Sequence, residues 1–362
     1  MKIEDIVRPC VLKQPVYQAG KPIEYVAREF GLDPDGILKM ASNENPMGSS
    51  PKAIAAVSKS LGGLNYYPDG GCYDLSRKIA RHMGLTPEQL VFGNGSNEVI
   101  ELVAHALLSP GDNAVTGAHS FIVYKLSTLL MGAECRDVPM PNLRYDFAAM
   151  LDAIDEKTKV VFIANPNNPT GTVASQEQIN EFARALPPHV VLCYDEAYCE
   201  YEDVPVDIRG LIAEGVKIIG LRTFSKIYGL AGLRVGYGYC TPELAALVNR
   251  VREPFNVNTL AQIAAIEAVD DVEFFKQSRA MNKAGRKQLE EAFEKQGLEY
   301  ISEGGNFIMV KVADAVKKFD TLQRAGVIVR TNVGYGLPDW LRITIGREEE
   351  NARFLSEFSR LV

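Results

Sequence analysis

The sequence predicts an α/β protein, with a large domain on a mostly parallel seven-stranded sheet and a smaller α+β domain after it. Short β-branched runs alternate with helical patterns through the middle of the chain, as strands and crossover helices do around a parallel sheet. Several runs are apolar at consecutive positions, which suits strands covered on both faces. After about residue 250 the pattern changes to a long charged helical stretch and then to clustered strands.

Taken in order, the expected strands are LVFG near 90, NAVTG near 113, ECRDV near 134, KVVFIA near 159, VVLCYD near 190, KIIGLR near 217 and RVGYGYC near 234. NEVIELVAHALL and QEQINEFARAL supply helices between them. One helical region is expected over roughly 260–297, followed by strands at NFIMVKV, VIVR and LRITIG. The first 45 residues, rich in Pro and Gly, read as an arm with little core of its own. The expected division is therefore an arm over 1–45, a large domain over 46–250 and a small domain over 251–362.

Composition narrows the function. The 362 residues are 46% hydrophobic and 23% charged, with a formal net charge of -7. Such a surface gives no electrostatic reason to bind nucleic acid or an anionic membrane. The six cysteines form no CxxC pair, so they read as scattered thiols and not as a disulfide framework or a metal site. The first ten residues mix charges into the place of an apolar signal, and no run of eighteen apolar residues occurs. A cytosolic protein is expected.

In an open α/β sheet, ligands bind outside the carboxyl ends of the strands. Four expected strands end there in polar clusters: Gly93-Asn94-Gly95-Ser96-Asn97-Glu98, Asn165 to Gly171 (NPNNPTG), Asp195-Glu196-Ala197-Tyr198, and Arg222-Thr223-Phe224-Ser225-Lys226. GNGSNE opens a helix straight after a strand, where free N–H groups favour a phosphate; a Gly- and Ser-rich βα turn also has a purely structural use. Glu98 stands where a dinucleotide fingerprint needs its third glycine, which weighs against a nicotinamide dehydrogenase. Proline and glycine in NPNNPTG suit a tight connection, but that use leaves three asparagines in four positions without a reason. Asp195 ends an apolar run, where a carboxylate needs a cation, hydrogen bonds or the task of a helix N-cap. Tyr198, three residues on, fits the same face or ordinary core packing. Lys226 precedes a Gly-spaced apolar stretch, where a desolvated amine is more easily neutral and able to form an imine.

These motifs together resemble the fold-type I aminotransferases, and most closely the histidinol-phosphate aminotransferase family. SNENP at Ser42–Pro46, YPDG at Tyr67–Gly70, GNGSNE, NPNNPTG, DEAY, RTFSKIYGLAGLRVGY and LRITIG stand in the family's order over nearly the whole chain. The resemblance implies pyridoxal 5'-phosphate (PLP) as cofactor, with Lys226 holding it covalently and Asp195 facing its ring nitrogen. Tyr198 and Asn168 would meet the ring's 3'-oxygen, and Phe121 would stack on the ring. Gly95, Ser96, Asn97, Thr223, Ser225 and Arg234 would hold the phosphate. Tyr67 would reach the cofactor of a neighbouring subunit, which implies a homodimer with shared sites. Tyr17, Asn43, Asn168, Arg330 and Arg342 would bind substrate.

The implied reaction joins L-histidinol phosphate, as amino donor, and 2-oxoglutarate. The alternative is an aminotransferase for phenylalanine or tyrosine. An aminotransferase-like sensor domain of a transcription regulator would need an added DNA-binding module, which the acidic balance opposes.

Overall fold

In the computed structural model, which describes residues 1–16 and 20–362, the strands are β1 (Leu38–Lys39), β2 (Leu90–Gly93), β3 (Asn113–Gly117), β4 (Glu134–Val138), β5 (Thr158–Ala164), β6 (Val191–Asp195), β7 (Ile218–Thr223), β8 (Gly236–Tyr239), β9 (Tyr300–Ile301), β10 (Phe307–Lys311), β11 (Val327–Ile328), β12 (Arg330–Asn332) and β13 (Leu337–Thr344). All seven strands expected before residue 250 are present, and they form one sheet in the order β2-β8-β7-β6-β5-β3-β4. Only β8 is antiparallel to its neighbours. Because β8 reverses direction on both sides, β2 points the same way as β5, β6 and β7. The four polar clusters therefore leave the sheet along one rim.

The apolar runs divide between two cores by the two-residue period of a strand. On β5, Val161 and Ile163 join one core while Val160, Phe162 and Ala164 join the other. On β6, Leu192 and Tyr194 alternate in the same way with Val191 and Cys193. The edge strand β4 is partly exposed, and its charged ECRDV sequence suits an edge that must not pair further.

The charged helical region is two helices, Thr259–Val269 and Val272–Lys295, and not one. Asp271 separates them, because its side chain accepts the N–H of Phe274 and caps the second helix. Ala261, Ala264, Ala265 and Ala268 of the first helix pack into a core that also holds Leu75 and Ile79. Leu289 and Phe293 of the second pack with β10 and β13.

The second sheet has the order β12-β13-β10-β9 and is antiparallel. The run VIVR, expected as one strand, is split. β11 pairs in parallel with β1 in a separate two-stranded sheet, and β12 begins at Arg330. LRITIG belongs to β13, which starts earlier, at Leu337.

The N-terminal segment borrows its core from elsewhere. Leu38 and Met40 pack with β10 and β13, and Val26, Ala27, Ile37 and Ala41 pack around Ile328. No helix among the described residues is long and apolar enough to cross a membrane, and the six cysteines are free thiols.

Candidate active site

A cleft of about 440 Å³ opens at the rim where β2, β5, β6 and β7 end. Lys226 lies just past β7 and donates from Nζ to the Ser42 carbonyl at 3.2 Å. Its ammonium sits 5.5 Å from the centre of the Tyr198 ring. Burial draws this amine down to about 8, and Arg342 and Arg234 push in the same direction, while Glu44 and Asp195 oppose them. An amine so lowered gives up its proton more readily, and the neutral form is the one that acts as nucleophile and base.

Asp195 ends β6 and is buried. One carboxylate oxygen accepts the Ala197 N–H at 3.0 Å, and the other accepts the Tyr124 hydroxyl at 2.9 Å. Burial pushes the acid up to about 6 against these two hydrogen bonds. Asp195 caps no helix: it closes its own turn through Ala197, and it lines the cleft. Tyr198, also buried, accepts the Asn43 amide at 2.9 Å on its hydroxyl and rests edge-on against Phe307.

The start of the helix Gly95–Leu107 forms the cleft wall beside β2. Gly95 has φ +75°, and a Cβ there would come within 2.7 Å of Arg234 Nη2. Gly236 is as constrained, since its Cβ would lie 2.4 Å from the Ser96 nitrogen. Arg234, itself at φ 58°, donates to the Asn94 and Ala231 carbonyls and to Ser225 Oγ. Thr223 Oγ1 accepts the Ser225 N–H. Glu98, which breaks the dinucleotide fingerprint, accepts the Asn94 N–H and so caps this helix start. Gly95, Ser96, Asn97, Thr223, Ser225 and Arg234 all line the cleft. The side chain of Asn97 donates to Glu101, and its backbone N–H lies in the first turn of the helix. First-turn N–H groups and an arginine are an anion-binding set.

The asparagines of NPNNPTG now have reasons. Asn165 bonds Ala174 through both its carbonyl and its amide, and also reaches the Tyr194 hydroxyl. Asn167 donates to the His119 carbonyl and Thr170, and accepts from Tyr145. These two pin the loop. Asn168 alone of the three lines the cleft, where its carbonyl accepts Arg342 Nη1 at 2.5 Å. Arg342 also donates to the Ala41 carbonyl, and Arg330 lines the same cleft.

Of the remaining expected residues, Phe121 and Asn43 line the cleft, with Phe121 capping the helix Ile122–Leu130. Tyr67 does not. It is exposed and stacks on Phe255 at 5.0 Å. Tyr17 lies outside the described residues.

The sequence reading missed Tyr124, Ser42, Glu44 and Tyr335, all of which line the cleft. Tyr124 carried a usable signal, because it follows Phe121 by three residues and so shares its helical face. The contribution of Ser42 is a backbone carbonyl, which no side-chain motif can announce.

The family model for "Aminotransferase class I and II" matches residues 35–358. Histidinol-phosphate aminotransferase 2 of Pseudomonas fluorescens is 48% identical over 361 residues, covering 99% of this chain and 97% of that protein. Histidinol-phosphate aminotransferase of Akkermansia muciniphila is 47% identical over 354 residues, covering 98% of each. Among solved structures, histidinol-phosphate aminotransferase from Sinorhizobium meliloti in complex with pyridoxal-5'-phosphate aligns with a TM-score of 0.90 at 27% identity. That match covers 99% of this chain and 98% of the other.

Proposed function

Since the chain belongs to the class I and II aminotransferases, we propose that its site holds PLP and transfers the amino group of L-histidinol phosphate to 2-oxoglutarate, yielding 3-(imidazol-4-yl)-2-oxopropyl phosphate and L-glutamate. The observation that carries this reading is the joint presence in one cleft of the Lys226 amine, the Asp195 carboxylate, an anion cradle and two further arginines. The names of relatives at 47–48% identity over nearly the full chain support the choice of substrate.

The residues present fit the cofactor. Gly95 leaves no room for a Cβ beneath the Arg234 guanidinium, as a site that brings backbone N–H groups and a cation onto one phosphate requires. Asp195 is a buried carboxylate whose charge calls for a cationic partner, the role the protonated ring nitrogen would fill. Asn168 and Tyr198 would take the ring's 3'-oxygen, and Phe121 would cover the ring. When bound, PLP supplies the electron sink that stabilises negative charge on the substrate carbon.

The chain's own groups do the rest. Lys226 Nζ would hold the cofactor, and as a free amine it would take the proton from the amine-bearing carbon of the substrate. Positioned general base catalysis of this kind is worth roughly 10²–10⁴-fold. Arg330 and Arg342 offer two planar guanidinium forks, suited to the phosphate dianion of the donor and to a carboxylate of 2-oxoglutarate. Tyr17 and Asn43 complete the substrate side in this proposal.

The functional unit in this reading is a cytosolic homodimer. Leu61, Leu64, Tyr66, Tyr67, Tyr73 and Phe255 are exposed large apolar residues. Tyr67, stacked on Phe255, is there for the neighbouring subunit's cofactor phosphate.

The test is kcat/KM for histidinol phosphate against phenylalanine, each with 2-oxoglutarate. A preference for histidinol phosphate supports the proposal, and a preference for phenylalanine replaces it with an aromatic aminotransferase.

A further inference from the structure

Asp195 receives one side-chain hydrogen bond, from a residue that no motif singled out. Tyr124 lies one helical turn after Phe121 on the helix Ile122–Leu130 and is fully buried. Its ring is held parallel to Phe162 at 5.0 Å and edge-on to Phe121 at 5.7 Å. From that clamp its hydroxyl donates to Asp195 Oδ2 at 2.9 Å. The Ala197 N–H holds Oδ1. With one oxygen tied to its own turn and the other to a separate helix, the carboxylate can neither swing nor rotate freely. Each oxygen keeps acceptor capacity for a group arriving from the cleft.

We infer that Tyr124 is a positioning residue that fixes the Asp195 carboxylate in its ionised, cleft-facing orientation and ties it to the helix whose cap, Phe121, covers the ring; the inference rests on the PLP reading above. A donor to a carboxylate favours the charged form. Burial and the Asp195 charge hold the Tyr124 phenol well above the ordinary tyrosine value, so it remains a donor while Asp195 is ionised. The other titratable groups facing Asp195 are Cys193, Glu196, Tyr145, Tyr198 and Lys226. Among these, Lys226 favours its ionisation and Glu196 opposes it.

The experiment is a double-mutant cycle of Tyr124→Phe and Asp195→Asn, read as the Kd of the apoenzyme for PLP by quenching of protein fluorescence. Tyr124→Phe keeps the stacked ring, and thermal melts of the apo forms check that the fold is retained. A lost hydrogen bond to a charged group predicts a roughly 10- to 100-fold weaker Kd in the Asp195 background. In the Asp195→Asn background the same substitution should change Kd by less than about threefold, because the pairwise interaction is already gone. As pH falls, loss of PLP affinity should begin at a higher pH in Tyr124→Phe than in the parent, a displacement that mere packing would not produce. If the parent binds PLP and Tyr124→Phe binds equally well, the inference fails alone. Equal losses in both backgrounds also overturn it. A parent that binds no PLP overturns the inference and the cofactor reading together.

Discussion

Arg330 and Arg342 are direct cross-strand partners in the antiparallel pair β12–β13, and both line the cleft. Like charges placed opposite each other on a sheet destabilise it by a few tenths of a kcal/mol to about 1 kcal/mol. A bound dianion would offset that repulsion, which is why the proposed function places the phosphate or carboxylate of the substrate beside this pair. Arg330→Lys and Arg342→Lys keep the charge and lose the planar fork. Each should raise KM for histidinol phosphate by roughly tenfold or more, the loss of about one charge-assisted hydrogen bond. Steady-state kinetics with 2-oxoglutarate held saturating would show it; unchanged KM in both variants would remove the arginines from substrate binding.

Lys226→Ala should leave activity at background, since the amine is both attachment point and base. Borohydride reduction in the presence of PLP should fix cofactor on the parent and none at this position in the variant, as peptide mapping would show. Cofactor fixed on another lysine, with turnover intact, would refute the assignment.

The same amine should cost the apoenzyme stability, with a definite pH dependence. Its folded-state value is depressed to about 8 from 10.5, with burial as the leading cause. Between those values the unfolded chain binds more protons, so this group's contribution to stability improves as pH rises. Lys226→Met apoenzyme should therefore melt higher than the parent at pH 7. The difference should shrink as pH rises above about 8 and vanish above about 10.5. Differential scanning calorimetry across that range tests the sign; a gap that widens with pH contradicts it.

Gly95→Ala places a methyl 2.7 Å from Arg234 Nη2 on a backbone with φ +75°. The left-handed conformation alone costs about 1–2 kcal/mol, measurable by urea denaturation of the apoenzyme. Displacing the guanidinium should further weaken PLP binding by roughly tenfold. Retained affinity would show that the cradle does not depend on this contact.

Asn165 and Asn168, three residues apart, should differ in their effect on catalysis, because only Asn168 lines the cleft. Asn165→Ala strands buried partners at Ala174 and Tyr194 and should destabilise the apoenzyme by about 1–3 kcal/mol. Asn168→Ala also takes an acceptor from a buried donor, Arg342 Nη1, but in the cleft, so beyond a similar stability cost it should lower kcat/KM by roughly tenfold or more. Matched melts and kinetics decide between the two roles.

Lys226, Asp195 and the helix start at Gly95 were legible in the sequence because each breaks a local expectation, whereas Arg234 followed only from the family resemblance. An amine stands in an apolar stretch, a carboxylate ends a buried strand, and glycines open a helix. Legibility failed where the decisive partner lies far along the chain. Tyr124 meets Asp195 across 71 residues, and the Ser42 carbonyl meets Lys226 across 184. Nothing local told apart Asn165, Asn167 and Asn168, whose roles depend on Ala174, His119 and Arg342. The break between the helices Thr259–Val269 and Val272–Lys295 was local but missed, since Asp271 reads equally as a charged surface residue and as a cap.

By itself the sequence determined the alternating α/β layer, the apolar strands and the identity of the reactive groups, because hydrophobic period and side-chain chemistry are properties of short segments. Tertiary structure decided which groups share the cleft. The reversed strand β8 keeps β2 aligned with β5, β6 and β7, and the β12–β13 register sets Arg330 against Arg342. Burial is the leading cause that brings lysine down to about 8 and aspartate up to about 6, since the penalty on a charge comes from the surroundings that exclude water.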